Sequence, residues 1–260
     1  MRATVVQTAA LARRSVIGTL RTPQALVPGL FFPLVLMAIF TASFAGAPGA
    51  IPGFPEVRGF LDFALAGAIL QGILIGGTTA GAAFALDIEG GFFDRLVASP
   101  VSRTAILVGR LAGGVVLAMA QTLLFLAIGI AFGARVEGGV PGVLVLLVLA
   151  GLLSVAISGL GVFLALRSGS AEAVQGTFPL FFALLFFSSA FFPRETMSGW
   201  FKVVADANPI SYLVEAMRDQ VIVGVDARVT LIGLGVVIGL AALSILGCWS
   251  AFRRRLRGPL

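Results

Sequence analysis

The chain has 260 residues, of which 58% are hydrophobic and only 12% charged, with a formal net charge of +6. So apolar a composition cannot cover a soluble globule of this size in polar surface, so the bilayer is its solvent. With no histidine and one cysteine, the chain has no evident zinc site, no histidine-based triad and no intrachain disulfide.

The first element is a basic segment, residues 1–22, carrying Arg2, Arg13, Arg14 and Arg21. Val5, Val6, Ala9, Ala12, Val16 and Ile17 give it an apolar face with Arg13 and Arg14 at the edge, the pattern of an amphipathic interfacial helix. An uncharged run of spanning length follows at 25–45. Ala45-Gly46-Ala47 offers a small-residue cleavage pattern, but the basic segment and the apolar run are both too long for a signal peptide, so this run is read as a retained span. The second span, 63–86, contains Gln71, Thr78 and Thr79. Its small residues Gly72, Gly76 and Ala80, and Gly77 and Gly81, predict close helix packing.

The gap at 87–110 opens with Asp87, Glu89 and Asp94. Phe92, Phe93, Leu96 and Val97 then recur at helical spacing until Pro100 stops the helix. From spacing alone this two-turn amphipathic helix either docks a protein partner or lies on lipid. Its glycines, Gly90 and Gly91, would cost about 1 kcal/mol each if they fell inside the helix. A third span at 111–134 brings Gln121 and Thr122, and a fourth covers 138–166. The fifth, 173–192, crowds Phe178, Phe181, Phe182, Phe186, Phe187, Phe191 and Phe192 together, a wall that can grip flat or lipid-like solutes, face lipid or pack a dimer.

Between spans five and six, residues 193–228 are read as two short helices. Trp200, Val203, Val204 and Ala207 form one apolar face; Asn208 then caps a second helix with Pro209 at its first position. In that second helix Ile210, Leu213, Val214 and Met217 share a face, with Glu215, Arg218 and Asp219 opposite. The pair fits a re-entrant hairpin or two helices lying flat on the membrane, anchored by Trp200 and Tyr212. The sixth span, 229–252, holds Gly235, Gly239 and Cys248, and a tail follows with Arg253, Arg254, Arg255 and Arg257.

Alternate gaps collect most of the cations. The amino-terminal segment, Arg95, Arg103, Arg110, Arg167 and the tail lie on one side, and this bias places both termini in the cytoplasm. The other side has Arg58, Arg135, Arg194, Lys202, Arg218 and Arg228, outnumbered by acids. The net charge is therefore a topology signal and does not imply a nucleic-acid partner. No acid lies within a span, so a proton relay is missing; Gln71, Thr78, Thr79, Gln121, Thr122 and Gln175 are neutral. Lys202, the single lysine, has no phosphate-binding glycine loop around it. Active transport by this chain requires energy from a partner. An ion-coupled secondary carrier and a non-transporting regulatory or assembly subunit remain the alternatives.

The run from Asp87 to Arg103, Asp-Ile-Glu-Gly-Gly-Phe-Phe-Asp-Arg-Leu-Val-Ala-Ser-Pro-Val-Ser-Arg, resembles the cytoplasmic loop of type-2 ATP-binding-cassette exporter permeases, in particular their daunorubicin-resistance-like branch. The stretches Phe191–Trp200 and Ala207–Arg218 are similar to that family's segment before the last span. The resemblance implies an all-α integral membrane fold: one permease domain over residues 1–260, six transmembrane helices, an amino-terminal interfacial helix and a re-entrant hairpin. It implies a bacterial cell-membrane protein that exports hydrophobic drugs or lipids, dimerising with a second copy or a paralogous permease. The chain itself would bind no cofactor, because ATP and Mg²⁺ would sit on a separate cytoplasmic ATPase. Asp87, Glu89, Gly91, Phe92, Phe93, Asp94, Arg95, Leu96 and Pro100 become the coupling residues, with Phe92, Phe93 and Leu96 filling a groove on the ATPase. Phe178, Phe182, Phe186, Phe191, Phe192, Trp200, Asn208, Pro209, Tyr212 and Glu215 become the pathway and gate, and the hairpin is the reading the resemblance favours.

Overall fold

The computed structural model describes residues 2–255, all of it helix and connecting turns with no strand among them. Met1 and residues 256–260, including Arg257 of the predicted basic tail, lie outside the described residues. The helices run in order as α1 (Arg2–Leu20), α2 (Pro23–Ser43), α3 (Phe60–Glu89), α4 (Phe92–Ala98), α5 (Arg103–Ala131) and α6 (Gly139–Ser168). Then follow α7 (Ala171–Gln175), α8 (Phe178–Phe186), α9 (Gly199–Ala207), α10 (Pro209–Ile222) and α11 (Ala227–Arg255). Five of these, α2, α3, α5, α6 and α11, are long and apolar enough to cross a membrane.

Local chemistry sets the boundaries. Pro23 opens α2 where a missing N–H costs nothing. The Ser102 hydroxyl caps α5 by accepting from the Ala105 amide at 3.1 Å. Gly90 and Gly91 lie between α3 and α4, so the penalty for glycine inside a helix does not arise. Gly91 takes φ +68°, the left-handed turn that lets α4 leave the end of α3.

The second span is the centre of the molecule: α3 is buried along most of its length and packs against α2, α5, α6 and α10. The predicted close packing at Gly77 and Gly81 is present. A Cβ built on Gly81 would stand 2.5 Å from the Gly161 Cα, so the α3 and α6 backbones touch there. In the sixth span, by contrast, a Cβ on Gly235 or Gly239 would meet nothing within 4 Å, and their small-residue pattern serves no packing among the described residues.

Helices α6 and α11 run side by side in the same direction. Ser244 donates to the Val155 carbonyl at 3.3 Å, Cys248 Sγ to Gly159 at 2.8 Å and Arg255 to Leu166 at 3.2 Å, a constant register. The chain between them must therefore return along the bundle. It does so as a broken element rather than as the continuous helix predicted for 173–192. Gly176 and Thr177 interrupt it, Pro179 lacks the N–H to carry a helix through, and the nine residues of α8 span only about 13 Å. This segment starts where the Ala171 amide donates to Glu89 at 2.7 Å. It arrives at Ala190, whose carbonyl would lie 3.0 Å from a Cβ on Gly67. From Glu89 to Gly67 along α3 is about 33 Å.

Candidate coupling face, cleft and gate

The segment after α3 is fastened to the rest of the chain at three points. Arg14 of α1 grips both oxygens of Asp87, at 2.9 and 3.1 Å, and its guanidinium lies 3.8 Å over the Phe92 ring. Arg110 of α5 approaches the same carboxylate at 3.7 Å and donates to the Ala80 carbonyl at 2.7 Å. Gln7 of α1 then holds the far end of the loop, donating to Pro100 at 3.2 Å and accepting from the Ser102 amide at 3.1 Å.

Phe93 does not face outward, contrary to the expectation that it fills a groove on a partner. It is 2% exposed, edge-on to Phe84 and Phe252 with ring centroids 5.5 and 5.7 Å away. Leu96 and Val97 are half-buried against the same cluster, which joins α3, α4, α5, α6, α7 and α11. The cause is local. A seven-residue helix beside long apolar ones gains most by burying a phenylalanine, worth about 1.5–3 kcal/mol. Glu89 is likewise committed inside the chain, to the start of α7. What α4 presents to solvent is Asp94, Arg95 and Ala98, with Pro100 beside them.

Next to this joint, α1, α2, α3 and α8 enclose a cleft of about 1090 Å³. Val27, Phe31, Phe32, Leu86 and Phe178 make its apolar walls, and the Arg14, Asp87 and Arg110 cluster stands at one end. Of the predicted pathway phenylalanines only Phe178 lines this cleft. The others continue from it as a ladder: Phe178 to Phe182 to Phe186 to Phe191, at 5.4, 5.1 and 4.7 Å between ring centroids. Phe191 then meets Phe40 at 5.0 Å, while Phe192 stands edge-on to Phe44 at 5.4 Å. Phe187 points elsewhere, toward Trp200.

At the far end of the ladder, Asn208 caps α10 as the sequence predicts, accepting from the Ile210 amide at 2.9 Å. Its amide nitrogen also donates to the Leu184 and Phe187 carbonyls, at 2.6 and 2.9 Å, which ties the turn before Pro209 to the end of α8. Ser189 donates twice to Ser211, its amide to the hydroxyl and its hydroxyl to the carbonyl, both at 3.2 Å. Tyr212 donates to the Asp206 carbonyl at 2.7 Å and carries the Arg194 guanidinium 4.5 Å above its ring. Arg194 makes a two-point ion pair with Glu215 and reaches Asp206 at 3.5 Å. Burial pulls the Arg194 pKa down, but the Glu215 hydrogen bond and charge more than offset it, so the net shift is upward.

Helix α10 is buried on nearly every side by α3, α6 and α11, while Trp200 of α9 is 69% exposed. Only α9 therefore lies on the surface. Arg218 departs from the predicted polar face: it is 6% exposed, 3.5 Å over the Phe63 ring. It donates to the carbonyls of Phe63, Ser189 and Ala190 at 3.2, 2.8 and 3.0 Å. Arg218, Arg14 and Gln7 are the site residues that sequence reasoning missed. A lone arginine three places after Glu215 reads as solvated, and only the carbonyls freed by the broken fifth segment give it a reason to turn inward.

Comparison with known proteins places this geometry. Residues 6–222 match the ABC-2 type transporter family. The chain is 31% identical over 201 residues to the daunorubicin resistance ABC transporter permease protein DrrB1 of Streptomyces coeruleorubidus, covering 76% of this chain and 68% of that one. It is 28% identical to the putative transport permease ycf38 of Cyanophora paradoxa, covering 80% and 71% of the two chains. It is 27% identical to the probable doxorubicin resistance ABC transporter permease protein DrrC of Mycobacterium tuberculosis, covering 56% and 55%.

Proposed function

The chain belongs to the ABC-2 type transporter family as a multi-pass membrane permease subunit, and from that premise we propose that it serves an ATP-driven exporter of hydrophobic drug-like or lipid molecules. The drug-resistance names of two relatives support cargo of that kind. The chain works as a dimer, with a second copy or a paralogous permease, in a bacterial cell membrane. A separate cytoplasmic ATPase holds ATP and Mg²⁺. Both termini are cytoplasmic, and the broken 171–190 segment makes the sixth crossing, since its advance of about 33 Å along α3 matches the ~30 Å hydrocarbon thickness.

The observation that carries this reading is the stiff linkage from the exposed edge of α4 to the walls of the cleft. A push on Asp94 and Arg95 is passed through Phe93 to α3 and α11, and through Phe92 and Arg14 to α1. Of those elements α1 and α3 border the cleft. When the ATPases close on ATP, this linkage switches the cleft from inward to outward access. Cargo then follows the phenylalanine ladder, whose faces grip flat or lipidic molecules without a fixed charge. It leaves by the α9 and α10 hairpin, a re-entrant gate held shut by Asn208 and the Arg194–Glu215 pair.

The test is affinity purification of the tagged chain from membranes, with ATPase activity measured on what co-purifies. Asp94→Arg with Arg95→Glu reverses the exposed charges without touching the buried Phe93. The wild type should retain an ATPase and the double variant should lose it at equal permease level. A wild-type sample without ATP hydrolysis would overturn the proposal.

A further inference from the structure

A second cavity, of about 230 Å³, lies between the α1–α2 corner and helices α3, α5 and α6. No charged residue lines it. Most of its wall is apolar, yet Gln121, Ser154 and Ser158 also border it, and their hydrogen bonding is unusual. A buried hydroxyl in a spanning helix ordinarily donates back to a carbonyl of the preceding turn. Thr78, Thr122 and Ser244 all do so here, at 3.1, 2.8 and 2.9 Å. Ser158 is 1% exposed, and its Oγ has no hydrogen-bond partner among the described residues. An unmade bond at so buried a hydroxyl costs about 1–3 kcal/mol.

The two serines, one turn apart on α6, point across at Gly114 of α5. A Cβ on that glycine would stand 3.1 Å from the Ser158 Oγ and 3.3 Å from the Ser154 Oγ. Gln121 comes from the next turns of α5. Its Nε2 is used on the Gly29 carbonyl at 2.8 Å, while its Oε1 faces Gly76, where a Cβ would lie 3.8 Å away. Leu20 and Leu124, both exposed, flank the opening on the outer side of the bundle.

We propose that this cavity binds a neutral hydrophobic molecule bearing a hydroxyl group, which accepts from the Ser154 and Ser158 hydroxyls and donates to the Gln121 Oε1. Its walls carry no ion to match a charged ligand, and its few convergent polar groups set orientation within an apolar enclosure. It is smaller than the ~300–1000 Å³ of pockets that take whole drug-sized ligands, so it accepts one ring system or one end of a lipid. The site adjoins the Arg14–Asp87 cleft, with Thr19 and Thr79 lining both, and does not rest on the exporter reading.

The experiment uses the full chain in nanodiscs of dimyristoylphosphatidylcholine, titrated with 1-naphthol and with naphthalene against empty nanodiscs, by probe fluorescence. Naphthol should bind saturably and about tenfold more tightly than naphthalene, equivalent to about 1.4 kcal/mol. Ser154→Ala with Ser158→Ala should remove most of that preference while leaving naphthalene affinity unchanged and thermal stability of the chain undiminished. Native mass spectrometry of wild-type chain from its host membrane then separates the sources. A co-purifying hydroxylated neutral lipid lost in the double variant assigns the ligand to the bilayer; its absence, with the naphthol preference intact, assigns it to a non-lipid hydrophobe. Equal binding of the two probes, no saturable naphthol binding, or a preference undiminished by the double substitution would overturn the proposal.

Discussion

Phe93 and Arg218 show what a single position decides in this molecule. Both sit in short amphipathic helices whose spacing is plain in the sequence, and in both the side chain faces the opposite way from the one spacing suggests. Phe93 turns in because the ends of α3 and α11 offer it the Phe84 and Phe252 rings. Arg218 turns in because the broken 171–190 segment leaves the Ser189 and Ala190 carbonyls without helical partners, and one nitrogen of the guanidinium fork serves both while Nε reaches Phe63. Replacing Arg218 with alanine strands those two buried acceptors, at about 1–3 kcal/mol each. Arg218→Ala should therefore lower the unfolding temperature in detergent clearly, and Arg218→Lys should recover only part of the loss, because an ammonium cannot reproduce the fork. Equal stability of the alanine variant and the wild type would mean that Arg218 does not hold the α10 hairpin.

Among the elements, the sequence is legible where causes are local and silent where they are distant. The Asn208-Pro209 cap, the end of α4 before Pro100 and the apolar runs behind the five long helices all follow from neighbours within a few positions. The Arg14–Asp87 pair joins residues 73 positions apart, and nothing local to either residue announces the other. Small-residue patterns lie between these cases: they mark a close approach without saying to what. The pattern in α3 meets α6, with Gly81 on Gly161, whereas a Cβ on Gly235 or Gly239 of α11 would meet nothing among the described residues. Gly81→Ala should thus push two backbones apart and cost about 1–3 kcal/mol as an overpacked contact. Gly235→Ala and Gly239→Ala, inside α11 with open space at the Cβ, should not lower the unfolding temperature of the monomer and should raise it slightly. A monomer that tolerates Gly81→Ala as readily as Gly235→Ala would refute the packing assignment.

At the scale of the whole molecule the issue is whether the chain crosses the bilayer five times or six. Charge bias in the gaps argues for an even number, while only five helices are long enough to span. The parallel register of α6 and α11 supports the proposed sixth crossing, because two neighbouring helices that point the same way require the chain between them to travel back. That return is made by α7, α8 and the turns to Ala190, and irregular backbone at membrane depth is tolerable only when protein surrounds it. The carbonyl contacts of Arg218 and Asn208 supply that protection. Glu172 and Ser198 are both exposed and stand on either side of the return. In a Cys248→Ala background, cysteine at Ser198 should react with a membrane-impermeant maleimide on intact cells, and cysteine at Glu172 only after permeabilisation. Labelling of both sites from the same face would leave five crossings, put the two termini on opposite sides and remove α9 and α10 from the role of an exit gate.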